Sequence, residues 1–314
     1  MSKDTLDPTI ICAFLQTYFD PKSTSVNFIG AGWFSQAFTF AVDQRAFVFR
    51  VNAYEEDFQK DAFAYQHFSS AELPIPRVVQ IGQFDEARFY AITEHCAGEP
   101  LDEEDTPRQR AIVPQLFAAL DAIHCVNVSG FAGWGLADAN GNGHFASWSE
   151  YLRSLYNQKF AYDWREIARH TFLEHDVFAA WFETMERLLP YCAREKYLIH
   201  RDFGFNNVIS DGKRITGVLD WAEFGLGDFL YDVANLDFFS KGIPYGALWL
   251  ELAIRHGRAV PHFEERMICY MLNIGLGSMA ITAVQGDEKS YIRCRERTRS
   301  VLKPGRRSVS DWAQ

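Results

Sequence analysis

In the first third of the chain, short runs of period-two alternation are interleaved with two stretches of helical spacing. Asp7-Pro8 opens the first helical stretch, 8–19, with a capping carboxylate followed by a residue whose fixed φ suits the first turn. From 25 to 52 the period drops to two. Ser25–Ile29, Gln36–Val42 and Ala46–Asn52 read as strands, broken at Gly30 and Gly32 and turned at Asp43-Gln44-Arg45. Residues 55–69 return to helical spacing through Phe58, Ala62, Tyr65 and Phe68. Past Pro74-Ile75-Pro76 two more strand-like runs follow, Arg77–Phe84 and Arg88–Glu94. This part of the chain predicts a five-stranded antiparallel sheet with an inserted helix.

After Gly98-Glu99-Pro100 the spacing becomes helical, with helices predicted over 107–124, 147–158, 174–192, 228–239, 246–257, 262–285 and 288–301. A Gly/Asn-rich loop is expected over 130–146, and 197–222 holds two short apolar runs around a polar turn. The expected fold is α+β and two-lobed. A small α+β N-terminal lobe covers 1–97 with a hinge at about 94–98, and a larger, mainly helical lobe covers 98–314. Ligands commonly sit in the cleft between such lobes.

Composition narrows the class. Of 314 residues 48% are hydrophobic and 23% charged, enough apolar material for a core and too much for a disordered chain. Lys+Arg 31 against Asp+Glu 41 gives a net charge of -10, which disfavours nucleic acid and anionic membranes as partners and permits a cationic one. The six cysteines have no C-x-x-C pair and fit neither a zinc site nor a disulfide framework. The N-terminal residues have no apolar core of a leader peptide. Met267–Gly286 is uncharged and long enough to span a bilayer, but Asn273, Gly275, Gly277, Ser278, Thr282 and Gln285 mark it as a core helix. A soluble, cytoplasmic protein is expected, with a monomer favoured.

The strongest chemical signal is His200-Arg201-Asp202-Phe203-Gly204-Phe205-Asn206-Asn207. A carboxylate and an amide five residues apart on a tight loop serve two ends of one reaction. Asp202 can orient and deprotonate a hydroxyl, and Asn207 offers an oxygen to a hard cation. Asp220, at the end of the run Ile215–Leu219, supplies a second carboxylate for Mg²⁺. Upstream, Gly30-Ala31-Gly32-Trp33-Phe34-Ser35 is similar to a G-x-G-x-x-G phosphate-covering loop with Ser35 in place of the third glycine. Taken alone, an ordinary hairpin explains it better. Phe47-Val48-Phe49-Arg50 matches the kinase strand that presents a lysine to phosphates, here an arginine, and Asp61 is the candidate to hold Arg50. Other patterns fail on context. Gly275-x-Gly277 has no preceding strand, His170 and His175 lack zinc-ligand spacing, and the seven basic residues from Arg293 to Arg307 read as a solvated helix face.

Together these residues resemble the aminoglycoside phosphotransferase family, whose fold is similar to that of protein kinases. The likeness is carried by His200–Asn207, Leu219–Glu223, Gly227-Asp228 and Asp232–Asn235. Arg50-Val51-Asn52, His67-Phe68, Leu73-Pro74-Ile75-Pro76 and Asp220-Trp221-x-Glu223 resemble the hygromycin B subgroup in particular. The resemblance implies Asp202 as catalytic base and Asn207 and Asp220 as Mg²⁺ ligands. It implies Arg50 as the phosphate contact and 30–37 as the phosphate loop, with ATP or GTP as co-substrate. Lining up the hinge puts Thr93 at the gatekeeper position and the adenine against the Glu94 carbonyl and the Cys96 N–H.

A protein kinase is a poor fit. Gly204 stands where a lysine is expected, and Gly227 comes only seven positions after Asp220, too close for an activation segment. The acceptor is therefore a small molecule. A polycationic one needs carboxylates, with Glu223 the nearest candidate and Asp237 and Asp163 weaker. Three readings stay open: an aminoglycoside-type antibiotic kinase, a metabolite kinase of the same fold acting on choline, ethanolamine, a sugar or an amino acid, and a catalytically silent nucleotide-binding module.

Overall fold

The Asp7 carboxylate accepts the Thr9 N–H at 2.8 Å and starts α1 (Pro8–Tyr18). In this computed structural model, which describes residues 5–32, 35–101, 106–155, 163–240 and 242–303, the alternating runs that follow are strands. They are β1 (Thr24–Ala31), β2 (Ser35–Val42) and β3 (Arg45–Asn52), and after α2 (Glu55–Phe68) β4 (Val78–Gln83) and β5 (Phe89–Glu94). All pair antiparallel in the order β1-β2-β3-β5-β4, the five-stranded sheet predicted. Alternation decides what each face carries. Phe38, Phe40, Phe47, Phe49 and Val51 are buried with Ile11 and Leu15 of α1 in one core. Within it Phe14 sets its ring 5.8 Å from Phe49 and 5.1 Å from Tyr90. Arg50, one residue after Phe49, belongs to the opposite face, where α2 lies.

The chain continues through β6 (Glu99–Pro100), α3 (Thr106–His124), β7 (Trp134–Ala137), β8 (Gly143–Phe145), α4 (Trp148–Ser154), α5 (Trp164–His170) and α6 (His175–Leu188). Then come β9 (Tyr197–Ile199), β10 (Val208–Ser210), β11 (Ile215–Val218), β12 (Gly225–Gly227), α7 (Leu230–Phe239), α8 (Tyr245–Arg255), α9 (Phe263–Gln285) and α10 (Glu288–Val301). Helix 174–192 ends at Leu188, because Pro190 turns the chain into a 3-10 segment, Leu189–Tyr191. Part of the predicted helix 147–158 lies outside the described residues.

Two compact units result. One holds residues up to Ala119 together with Phe205–Ala222, the other Leu120–Gly204 with the chain from Glu223 on. Compactness thus groups residues differently from chain order, since a small sheet β11-β10-β6 ties Phe205–Ala222 to the first unit. That sheet needs Gly98, whose φ is +110° and whose Cβ, were there one, would lie 2.2 Å from the Ser210 carbonyl oxygen.

The second unit contains the sheet β8-β7-β12-β9 and α4 to α10. Its central helix, α9, is long and apolar enough to cross a membrane, yet 72% of its most apolar window is buried. The buried polar residues in it, Arg266, Asn273 and Thr282, are partnered. Asn273 Nδ2 donates to the Leu152 carbonyl at 2.9 Å, and Asn273 Oδ1 accepts the Tyr231 hydroxyl at 3.1 Å. At Gly275 a Cβ would fall 2.1 Å from Thr298 Oγ1, so this glycine lets α10 approach α9. The six cysteines are all free thiols.

Candidate active site

In the first unit, β1 and β2 form a hairpin whose end is closed by the Gly32 N–H donating to the Ser35 carbonyl at 2.9 Å. Gly30 pairs with Ala37, and no atom lies within 4 Å of where its Cβ would be, leaving that backbone open to approach. Trp33 and Phe34 of the expected phosphate loop 30–37 lie outside the described residues. Arg50 on β3 forms an ion pair with Asp61 of α2, and its guanidinium lies 5.3 Å from the Phe58 ring centroid. Burial works against this charge, but Asp61, Asp220 and Asp57 outweigh it and raise the arginine's pKa above its ordinary value. The second oxygen of Asp61 accepts the Trp221 N–H at 2.8 Å. One carboxylate therefore fixes both the strand arginine and the turn that follows Asp220.

Asn207 is buried at the end of a 3-10 turn, Phe205–Asn207, and its carbonyl accepts the Leu219 N–H at 2.8 Å. With β10 and β11 paired from Val208 to Val218, this bond holds the Asn207 backbone beside that of residue 219, directly before Asp220. Asp220 is exposed, with φ +60°. An amide oxygen and a carboxylate form a hard-oxygen donor set, the kind that holds Mg²⁺ through one or two protein ligands while phosphates and water fill the remaining positions. The donor chemistry of this pair fits that ion. Where the hinge was expected, Thr93 is buried, the Glu94 N–H donates to the Arg77 carbonyl at 2.9 Å, and the Glu94 carboxylate meets Arg45 at 3.2 Å. Burial, aided by Glu94, pushes the Cys96 thiol up to about 11, so it stays protonated at neutral pH.

The second unit holds Asp202. β12 pairs with β9 in the register Gly225↔Ile199, Leu226↔Leu198 and Gly227↔Tyr197, which sets the start of the loop. Asp232, fully buried near the start of α7, accepts the His200 N–H at 3.0 Å and the Arg201 N–H at 2.7 Å. His124 Nε2 lies 3.1 Å from the same carboxylate. Arg201 has φ +69°, so these bonds hold a turn that an arginine adopts at some strain. Half-buried Asp202 follows directly. The Arg201 guanidinium pairs with Glu223 at 2.8 Å and lies 5.3 Å from the Tyr151 ring centroid and 5.8 Å from that of Tyr231. Burial opposes its charge, while Tyr151, Tyr231 and Glu223 favour it strongly enough to raise its pKa.

The expected acceptor carboxylates are all engaged. Glu223 pairs with Arg201, Asp237 lies 3.5 Å from Arg297, and Asp163 caps α5 by accepting the Arg165 N–H at 3.0 Å. Sequence reasoning assigned no role to Asp232, although the spacing Asp228…Asp232 at a helix start was there to be read. It gave Asp228 no role either, although Gly227-Asp228 carries part of the resemblance. That residue is fully buried and meets Arg266 Nε at 2.8 Å, the Ala193 N–H at 3.3 Å and the Tyr270 hydroxyl. His170, set aside as a metal ligand, pairs with Glu166 at 2.8 Å.

A carboxylate-bearing loop braced from a buried helix start, an oxygen pair whose donor chemistry suits Mg²⁺ and a strand guanidinium fixed by a helix carboxylate are the kinds of group that phosphoryl-transfer enzymes with a protein-kinase-like fold use. The chain belongs to the phosphotransferase enzyme family, which matches residues 25–265. It is 31% identical to the hygromycin-B 4-O-kinase of Escherichia coli over 99% of this chain and 93% of that protein. Its fold superposes with a TM-score of 0.82 on a thermostable variant of aminoglycoside phosphotransferase APH(4)-Ia in ternary complex with AMP-PNP and hygromycin B. That match is 28% identical and covers 93% of this chain and 97% of that one. APH(4)-Ia itself matches at TM-score 0.80 and 30% identity, covering 94% and 98%. The protein is a phosphotransferase.

Proposed function

We propose that this enzyme transfers the γ-phosphoryl group of ATP or GTP to a hydroxyl of an aminoglycoside-type antibiotic of the hygromycin B kind, in the cytoplasm and as a monomer. The observation that carries this reading is the bracing of the Asp202 loop by Asp232, together with whole-chain similarity to a kinase of that antibiotic. Asp202 accepts the proton of the acceptor hydroxyl as its oxygen bonds to the γ-phosphorus. The bond between that phosphorus and the bridging oxygen breaks, and the nucleoside diphosphate leaves. Asn207 and Asp220 would hold Mg²⁺, which supplies charge neutralisation on the phosphates. Arg50 presents its planar fork to the α- and β-phosphates, and the 30–37 hairpin covers them. Thr93, Glu94 and Cys96 border the adenine. The lobe division at 94–98 belongs to the same reading.

Acceptor recognition draws on acidic side chains near the base. Glu223 is the one attached to it, since its partner Arg201 precedes Asp202 in the chain. This also accounts for the arginine of the His-Arg-Asp triplet, which is occupied by Glu223 in a chain without an activation segment.

Turnover should be stimulated by hygromycin B in an ATP-consumption screen that also contains other aminoglycosides, choline and ethanolamine. Stimulation by the amino alcohols alone would remove the antibiotic reading. A second expectation concerns Arg50. In Asp61→Asn the guanidinium loses the carboxylate it is paired with, while the Trp221 N–H keeps an acceptor. KM for ATP should rise about tenfold, equivalent to about 1.4 kcal/mol of lost nucleotide binding, with KM for the acceptor unchanged in steady-state kinetics.

A further inference from the structure

Lys60 is fully buried in the first unit. Lysine is among the residues least often found without solvent contact, because removing its ammonium from water is costly unless a partner replaces the lost hydration. Here Nζ donates to the Ala222 carbonyl at 3.1 Å, 162 residues further along the chain. The neighbouring residue, Asp61, accepts the Trp221 N–H at 2.8 Å. Two consecutive residues of α2 thus grip two consecutive residues of one turn, one through its N–H and the other through its carbonyl. That turn begins at Asp220, whose φ of +60° is a conformation that a residue with a Cβ holds only when its surroundings impose it.

We propose that Lys60 is a positioning residue for the metal-binding carboxylate. It fixes the Ala222 carbonyl, and with it the left-handed turn that directs Asp220 toward Mg²⁺. This rests on the reading of Asp220 as a Mg²⁺ ligand. Lys60 is fully buried and acts through the backbone of the turn, at the Ala222 carbonyl. An ammonium-to-carbonyl bond is charge-assisted and stronger than a neutral one, which suits it to hold a strained segment. Asp61 holds the same turn from its N–H side, so Lys60 adds the second anchor that a single hydrogen bond cannot provide.

The test is calorimetric binding of a non-hydrolysable ATP analogue, with and without Mg²⁺, to wild type, Asp220→Asn, Lys60→Met and Lys60→Arg. Wild type should bind more tightly with Mg²⁺, and Asp220→Asn should lose that gain. Lys60→Met should reduce the gain about tenfold while metal-free affinity stays within about twofold. Equal loss of both affinities in Lys60→Met, or an unchanged gain, overturns the proposal while the reading of Asp220 stands. Absence of any Mg²⁺-dependent gain in wild type overturns that reading and this proposal with it. If Lys60→Met does not fold, Lys60→Arg decides, because it keeps the charge in a longer, planar head. A shift of about threefold in the Mg²⁺ requirement at unchanged metal-free affinity supports the proposal, and no shift overturns it.

Discussion

Asp202→Asn is expected to lower kcat about a thousandfold, close to 4 kcal/mol in barrier, with little change in melting temperature or nucleotide affinity. The substitution keeps the size of the side chain and its place after Arg201. It removes the anionic oxygen that accepts the hydroxyl proton in the mechanism proposed above. The braces of the loop are untouched, because Asp232 binds the backbone N–H groups of His200 and Arg201 and not the side chain of residue 202. Steady-state kinetics beside a thermal melt separates the two effects. A kcat within about threefold of wild type would remove Asp202 as the base.

Asp228→Ala should bring the largest loss of stability. This carboxylate is fully buried and receives the Arg266 guanidinium, the Tyr270 hydroxyl and the backbone N–H groups of Ala193 and Leu230. Burial alone would lower the pKa of Arg266, and the hydrogen bond and charge of Asp228 reverse that. Taking the carboxylate away leaves a buried guanidinium without its counter-charge, which costs about 3–5 kcal/mol. For a chain of this size the melting temperature should fall by about 10 °C. The double variant Asp228→Leu/Arg266→Met, in which no charge stays buried, should melt above Asp228→Ala. If the double variant melts lower, the ion pair contributes more than the desolvation it demands. The same carboxylate follows β12, which pairs with the strand that leads into the Asp202 loop, so Asp228→Ala should also lower kcat.

The sheet of the first unit was legible because its strands alternate cleanly and bury Phe38, Phe40, Phe47 and Phe49 on one face. The hairpin β7–β8 was not. Its strands are short, Gly133 and Gly135 sit at positive φ, and the Gly143 N–H finds its acceptor, the Ala132 carbonyl at 2.9 Å, across a stretch that reads as Gly/Asn loop. α5 escaped notice because seven residues with Trp164 and Ile167 as buried positions make too short a period to see. The site divides in the same way. Asp202, Asn207 and Asp220 stand in a local pattern whose chemistry is visible in residue type and spacing. The residues that hold them are tied over long separations, as with Lys60 and Ala222 or Asp228 and Arg266. In sequence, Lys60 between Gln59 and Asp61 is an ordinary surface lysine of a polar helix. The acceptor carboxylates illustrate the converse. Glu223 was singled out as a candidate carboxylate for a cationic acceptor, and its pairing with Arg201 depends on folding.

As proposed above, this enzyme phosphorylates a hydroxyl of a hygromycin-type aminoglycoside from a nucleoside triphosphate. The most direct measurement is phosphorus NMR of the products after incubation of the wild-type enzyme with ATP, Mg²⁺ and hygromycin B. A new phosphomonoester resonance on the antibiotic, growing as the nucleoside diphosphate accumulates and absent with Asp202→Asn, is the predicted result. Accumulation of inorganic phosphate alone, or a phosphomonoester only when choline or ethanolamine replaces the antibiotic, would contradict the claim.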